Sequence, residues 1–313
     1  MNLRSTTLFL AMSLLASPAM AQEKLTLMLD WFVNPDHAPI IVADQLGYFA
    51  DRGLEVEIVA PADPNDPPKL VAAGQADVAI SYQPQLLIQR DQGLPLTRIG
   101  TLVATPLTTL LALEDGPVKK IADLKGRKVG YSVGGFEDAL LSAMLAEHGL
   151  SQDDVELINV NFALSPALLS GQVDAVIGAF RNFELNQLDL EGSAGRAFYP
   201  EEHGVPAYDE LIFVANDARL DDPRLPLFID AIEAATLHVL NHPDDSFALF
   251  VEGRPELDDE LNRRAWRDTL PRLALRPAAL DTARYQRLGA FLQKQGLIEA
   301  APPVADYAVE LKR

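Results

Sequence analysis

Short apolar runs recur along the chain as far as residue 215. They fall at 25–29, 77–81, 96–103, 107–113, 155–160, 173–178 and 211–215. Each has the length and bounding turn signals of a buried strand. Residues 53–59 instead alternate apolar and acidic side chains, which is the strand period. Between these runs, helices are predicted at 38–49, 69–74, 84–92, 136–148, 165–171 and up to about 190. Strand–helix alternation of this kind predicts an α/β fold with mostly parallel sheets covered on both faces. A second alternating unit begins at 125–131. Beyond Asn216 the pattern is helical throughout, at 225–241, 243–252, 258–269 and 278–296.

The apolar pattern changes register near Pro106, and the run at 211–215 reads as a return crossing. One domain is therefore interrupted by another. Residues 22–106 and 209–313 are expected to form lobe I, and 107–208 lobe II. Two crossing strands make a hinge, and a ligand cleft is expected between the lobes.

Residues 1–21 change the picture at the N-terminus. Met1-Asn2-Leu3-Arg4 is a positive start, 8–16 is an apolar run, and Ala19-Met20-Ala21 precedes Gln22. This predicts a signal peptide cleaved after Ala21. The chain has no cysteine. The leader thus lacks the residue a bacterial lipid anchor requires, and disulfides and thiolate metal sites are excluded. A freely soluble, non-lipoprotein, periplasmic protein is expected, and it is expected to be a monomer.

With 45 acidic and 26 basic residues the formal net charge is -19. Nucleic acid is excluded as a partner, because phosphate binding needs a basic face. A strongly anionic ligand is disfavoured. Solubility explains most of this charge.

Polar and aromatic residues gather where strands end, the usual place for ligands in open α/β sheets. Leu29-Asp30-Trp31-Phe32-Val33-Asn34-Pro35-Asp36-His37 follows the first strand, with Asp36 as a candidate helix cap. Taken alone, Trp31 suits a core as well as a site, and His37 suits a helix surface. Ser81-Tyr82-Gln83-Pro84-Gln85 follows another strand and offers a phenol and neutral amides. Ser132-Val133-Gly134-Gly135 precedes a helix, where free N–H groups can hold a carbonyl or an anion. Glu137 weakens the anion case, and a simple tight turn explains the glycines equally well. Phe180-Arg181-Asn182-Phe183-Glu184 places Phe180 and Glu184 four residues apart, on one face of a helix. An aromatic wall beside a carboxylate suits a flat heteroaromatic ring with amino donors. An ordinary amphipathic helix gives the same spacing.

Enzyme signatures are poor. The chain carries no nucleophile elbow, phosphate-binding loop or paired-histidine metal motif. His238 and His242 are four apart but lie beside Pro243, as at a helix end. No cofactor and no metal are expected.

The segments Asp30 to Pro39, Gly47-Tyr48-Phe49, Ser81 to Gln85 and Gly178 to Glu184 resemble those of ABC-importer substrate-binding proteins. The resemblance covers nearly the whole mature chain. It implies a type II periplasmic-binding-protein fold, with two lobes joined by a two-strand hinge. Within that class the chain resembles the thiamin-pyrimidine branch related to the fungal thiamin-pyrimidine synthase. The resemblance implies a small-molecule pyrimidine ligand, formylaminopyrimidine, and an inner-membrane ABC permease as partner. It implies ligand contacts at Trp31, Asn34, Tyr82, Phe180 and Glu184. His37, Ser81, Gln83, Ser132, Gly134, Gly135 and Asn182 complete the candidate site. The related synthase uses its own histidine and a lysine-bound pyridoxal phosphate. Here Ser81 stands where the lysine is expected, Gln85 where the histidine is, and the cysteine-rich segment is missing. Other readings of the same scaffold are a riboflavin or aliphatic sulfonate binder, or the synthase itself.

Overall fold

The structure is a computed structural model and describes residues 22–311. The expected leader and its cleavage site lie outside the described residues. Strands follow the chain as β1 (Glu23–Met28), β2 (Leu54–Val59), β3 (Val78–Ser81), β4 (Leu96–Val103), β5 (Thr108–Leu113) and β6 (Lys128–Tyr131). They continue as β7 (Glu156–Asn159), β8 (Ala175–Phe180), β9 (Gly195–Phe198) and β10 (Leu211–Asn216). β3 and β4 are buried along their whole length, which is why their sequences read as unbroken apolar runs.

The strands form two sheets of the same design. The first has the order β2-β1-β3-β10-β4, and the second β7-β6-β8-β5-β9. In each, three parallel strands are followed by an antiparallel one in fourth place. That fourth strand comes from the other half of the chain, since β5 follows β4 and β10 follows β9. The result is an α/β molecule of two lobes joined by two crossings.

Helices α1 (Ala38–Gln45), α2 (Pro67–Ala72) and α3 (Gln83–Asp91) belong to the first lobe, and α4 (Glu137–Glu147), α5 (Leu164–Leu169) and α6 (Glu184–Leu190) to the second. The last helices are α7 (Arg224–Asn241), α8 (Pro243–Val251), α9 (Glu260–Thr269) and α10 (Thr282–Lys294). α7 and α8 pack on α1, and α10 packs on α3. α9 reaches across to α6 of the second lobe.

Three details differ from the sequence reading. β8 runs to Phe180, so Phe180 ends a strand and does not share a helix with Glu184. β9 is a further strand: its Gly-Arg-Ala-Phe has no alternation because all four residues are half-buried at a sheet edge. Asn34, not Asp36, is the cap, its Oδ1 accepting from the Asp36 N–H (2.9 Å) at a short 3-10 turn, Pro35–His37.

At the crossings, Glu210 is fully buried and joins the two chain passages. Its carboxylate accepts from the backbone N–H of Leu107 and of Thr108 and from Thr108 Oγ1 (2.9 Å).

Candidate functional site between the lobes

A small cavity, partly open to solvent, lies between the lobes. The first lobe contributes Asp30, Trp31, Asn34, Asp36 and Tyr82. These follow the carboxyl ends of β1 and β3, as expected for an α/β sheet. The second lobe contributes Glu137, Leu164, Gly178, Phe180, Phe183 and Glu184.

In the first lobe the turn 35–37 fixes the wall. The Asn34 N–H donates to His37 Nδ1 (3.3 Å), so the ring proton sits on Nε2 and points at Asp30 Oδ1 (2.9 Å). Asp30 Oδ2 accepts from the Tyr82 hydroxyl (2.8 Å). His37 thus acts behind the wall, orienting Asp30, and is itself fully buried.

In the second lobe β8 carries a bulge at Gly178, where the pairing with β5 slips between Thr109 and Leu110. Gly178 has φ +98°, a conformation that glycine adopts without strain. A Cβ there would lie 2.2 Å from the Glu137 carboxyl carbon. The missing side chain is the room in which Glu137 sits, and the Ser132 N–H holds its Oε2 at 2.7 Å. The turn after β8 brings Glu184 back onto the strand end, where the Phe180 N–H donates to Glu184 Oε2 (2.6 Å). An aromatic ring and a carboxylate thus meet in the cavity through a strand-to-helix turn.

Burial dominates the electrostatics. It raises Asp36 to about 6, against the Thr269 hydrogen bond, the nearby His37 and the Asn182 hydrogen bond. It raises Glu184 to about 7, against backbone N–H groups of Phe180 and Glu184, with Asp36 adding a further push upward. It raises Glu137 to about 8, against the N–H groups of Ser132 and Val133. Four carboxylates line the cavity, and the lining includes no lysine or arginine. Such a wall offers hydrogen-bond acceptors and shared protons to a donor-bearing ring. It offers no counter-charge to a sulfonate or phosphate.

Of the sequence-predicted residues, Trp31, Asn34, Tyr82, Phe180 and Glu184 come together in this lining. His37, Ser81, Gln83, Ser132, Gly134, Gly135 and Asn182 stand outside it. Ser81 Oγ donates to Gln85 Oε1 (2.8 Å), and Gln83 Oε1 accepts from the Asp209 N–H (2.8 Å) beside the hinge. The glycine loop meets the other lobe: the Gly134 N–H donates to Asn65 Oδ1 (2.9 Å), and Asn65 Nδ2 donates to Ser132 O (3.1 Å). Gly135 is exposed at the turn. Asn182 Nδ2 crosses the cleft to Asp36 Oδ1 (2.7 Å) and Thr269 Oγ1 (2.8 Å). Aromatic rings cross it too, Trp31 against Phe162 (4.6 Å) and Tyr82 stacked on Phe136 (4.6 Å). These contacts describe a cleft closed by its own side chains.

Asp30, Asp36, Glu137, Leu164, Gly178 and Phe183 line the cavity although sequence reasoning did not select them as site residues. A usable signal existed for Asp30, which stands between the apolar run 25–29 and Trp31-Phe32. Leu164 and Gly178 look like ordinary core and strand residues.

Comparison with known proteins agrees with this architecture. The family described as NMT1/THI5 like matches residues 34–246. A Haemophilus influenzae protein named for thiamine biosynthesis is 56% identical over 300 residues, 96% of each chain. The formylaminopyrimidine-binding protein of Halalkalibacterium halodurans is 33% identical over 257 residues, 82% of this chain and 78% of that one. A 4-amino-5-hydroxymethyl-2-methylpyrimidine phosphate synthase of Legionella pneumophila is 27% identical, covering 80% of each. Among solved structures, the alkanesulfonate-binding protein SsuA of Xanthomonas axonopodis pv. citri, bound to MOPS, superposes with a TM-score of 0.73 at 18% identity. That match covers 92% of this chain and 99% of SsuA, and it shows a shared periplasmic-binding-protein fold. With its family match over 34–246 and these relatives, the chain belongs to the NMT1/THI5-like family.

Proposed function

We propose that the chain is a periplasmic solute-binding protein for a thiamin pyrimidine precursor. The ligand is N-formyl-4-amino-5-aminomethyl-2-methylpyrimidine or a close relative. The protein delivers it to an ABC importer and performs no chemistry. The observation that carries this reading is the pairing of Phe180 and Glu184 in an interlobe cavity whose lining has acceptors and no cation. A pyrimidine ring stacks on Trp31 or Phe180, and its exocyclic NH₂ donates to the Glu184 carboxylate. Glu184 titrates near 7, so at neutral pH it can also share a proton with the adjacent ring nitrogen. Tyr82 and Asn34 supply neutral polar contacts. The relative named for formylaminopyrimidine binding supports the choice of ligand. The predicted leader supports the periplasm, and the protein works as a monomer.

The synthase reading fits less well. Pyridoxal phosphate needs a lysine for its aldehyde and a cation or N–H nest for its phosphate. Ser81 stands at the expected lysine position with its hydroxyl on Gln85, and the cavity lining holds no basic side chain. The sulfonate reading fails for want of the same cations.

Mass spectrometry of small molecules released from protein purified from the periplasm tests this function. The expected release is an aminopyrimidine in about equimolar amount. Release of a sulfonate or flavin, or pyrimidine formation from added pyridoxal phosphate and iron, would refute it.

A further inference from the structure

The glycine loop 132–135 spends its polar groups on the other lobe. Asn65, in the loop between β2 and α2, meets it with both ends of its amide. Asn65 Oδ1 accepts from the Gly134 N–H (2.9 Å), and Nδ2 donates to the Ser132 carbonyl (3.1 Å). One side chain thus satisfies a backbone donor and a backbone acceptor together, as a neighbouring strand would. The amide is already oriented within its own lobe. Asp63 Oδ1 accepts from the Asn65 backbone N–H (2.8 Å) and from Nδ2 (2.8 Å). Pro64, Pro67 and Pro68 stiffen the same loop. Asn65 therefore has little side-chain freedom left to lose when the lobes meet.

Ser132 is buried and joins this contact to the rest of the cleft. Its N–H donates to Glu137 Oε2 (2.7 Å) in the cavity wall. Its hydroxyl donates to the Asn161 carbonyl, in the loop that presents Phe162 to Trp31. Its carbonyl accepts from Asn65. Three groups of one residue tie the wall, the aromatic contact and the opposite lobe together. All of these partners belong to the protein, so the arrangement stands without a ligand.

We propose that Asn65 is a positioning residue whose amide clasps the 132–135 loop. The clasp holds the lobes together before a ligand arrives, and it sets how fast a bound ligand leaves. The proposal rests on the solute-binding reading above and adds to it a residue remote from the ligand. Asn65 is not part of the cavity lining, so its loss leaves every lining side chain in place.

Asn65→Ala removes both amide bonds to the loop and keeps the backbone bond to Asp63. Fluorescence transfer between labels on the two lobes reads the ligand-free state, and the variant is expected to be more open than wild type. Stopped-flow measurements with formylaminopyrimidine read the kinetics. Release is expected to quicken about tenfold, the size expected for two neutral hydrogen bonds. Association starts from open lobes, so it is expected not to slow, whereas a clasp that only shaped the site would slow it. An unchanged lobe distance, unchanged release or slower association would overturn the proposal. Amide exchange in the wild-type chain gives a reading that needs no variant: the Gly134 N–H is expected to be protected without ligand, and free exchange there would also overturn it. If neither protein binds the pyrimidine, the ligand reading fails, while the lobe distance and the Gly134 exchange still decide the clasp.

Discussion

Glu184 is held by the Phe180 N–H at 2.6 Å and is 8% exposed, so its rotamer is set before any ligand arrives. Glu184→Gln preserves that hydrogen bond through the amide oxygen and removes only charge and the shared proton. Charge-assisted hydrogen bonds contribute about 1.5–3 kcal/mol, so pyrimidine affinity is expected to fall about tenfold or more. Titration calorimetry reads the loss, and an unchanged Kd would place Glu184 outside the contact set. Trp31→Ala and Phe180→Ala are expected to weaken binding through lost stacking, with melting curves close to wild type. At this scale the sequence showed the residue types but not their geometry. Phe180 and Glu184 were paired by helical spacing, whereas a strand end and a turn bring them together. Asp36 looked like a cap because Asp caps helices; Asn34 fills that role and frees Asp36 for the cleft. In sequence Glu137 reads only as a charge that weakens an anion site at the glycine loop, and burial beside Gly178 reveals it as wall.

Between residue and molecule stand the turns that carry the site. The bulge at Gly178 is the most sensitive, because φ +98° and the Glu137 carboxyl both exclude a side chain. Gly178→Ala is expected to displace Glu137 and cost about 1–3 kcal/mol, as overpacking does. At this chain length that is a fall in Tm of roughly 2–10 °C, measured by calorimetry, accompanied by lost binding. A wild-type Tm would mean that the bulge relaxes freely. The loop 160–163 presents Phe162 to Trp31 across the cleft, with Asn161 at φ +51°. Phe162→Ala removes an aromatic pair of about 0.5–1.5 kcal/mol while leaving every lining side chain in place. Ligand release is expected to quicken about two- to tenfold in stopped-flow measurements, with little change in association. Most strands and helices were legible, since buried strands read as apolar runs and the late helices have clear periodicity. β9 was not, because a half-buried edge strand carries no alternation. The glycine loop was legible as a turn but not as an interlobe contact, since Asn65 is distant in sequence.

For the whole molecule, closure brings the acids of two lobes together. In the closed chain Asp36 titrates near 6, Glu184 near 7 and Glu137 near 8, each raised by burial. A carboxylate with a raised pKa holds its proton in the closed form where the open form has released it. That contribution favours closure at low pH and is lost as pH rises through about 6 to 8. The ligand-free closed fraction, followed by fluorescence transfer between labels on the two lobes, is therefore expected to fall from about pH 5 to about pH 9. A pH-independent distance would mean that these acids are already solvated. The two-lobe plan was legible because the chain leaves one alternating unit and returns to it; the closed cleft was not, because its contacts join residues far apart in the chain.

The most direct measurement is a calorimetric titration of the mature protein with formylaminopyrimidine and its free-amine relative, with an alkanesulfonate as competitor. One ligand per chain is expected, with a Kd of about micromolar or tighter for an aminopyrimidine and no displacement by the sulfonate. Saturable sulfonate binding, or no heat from either pyrimidine, would contradict the assignment of this cavity to a thiamin pyrimidine precursor.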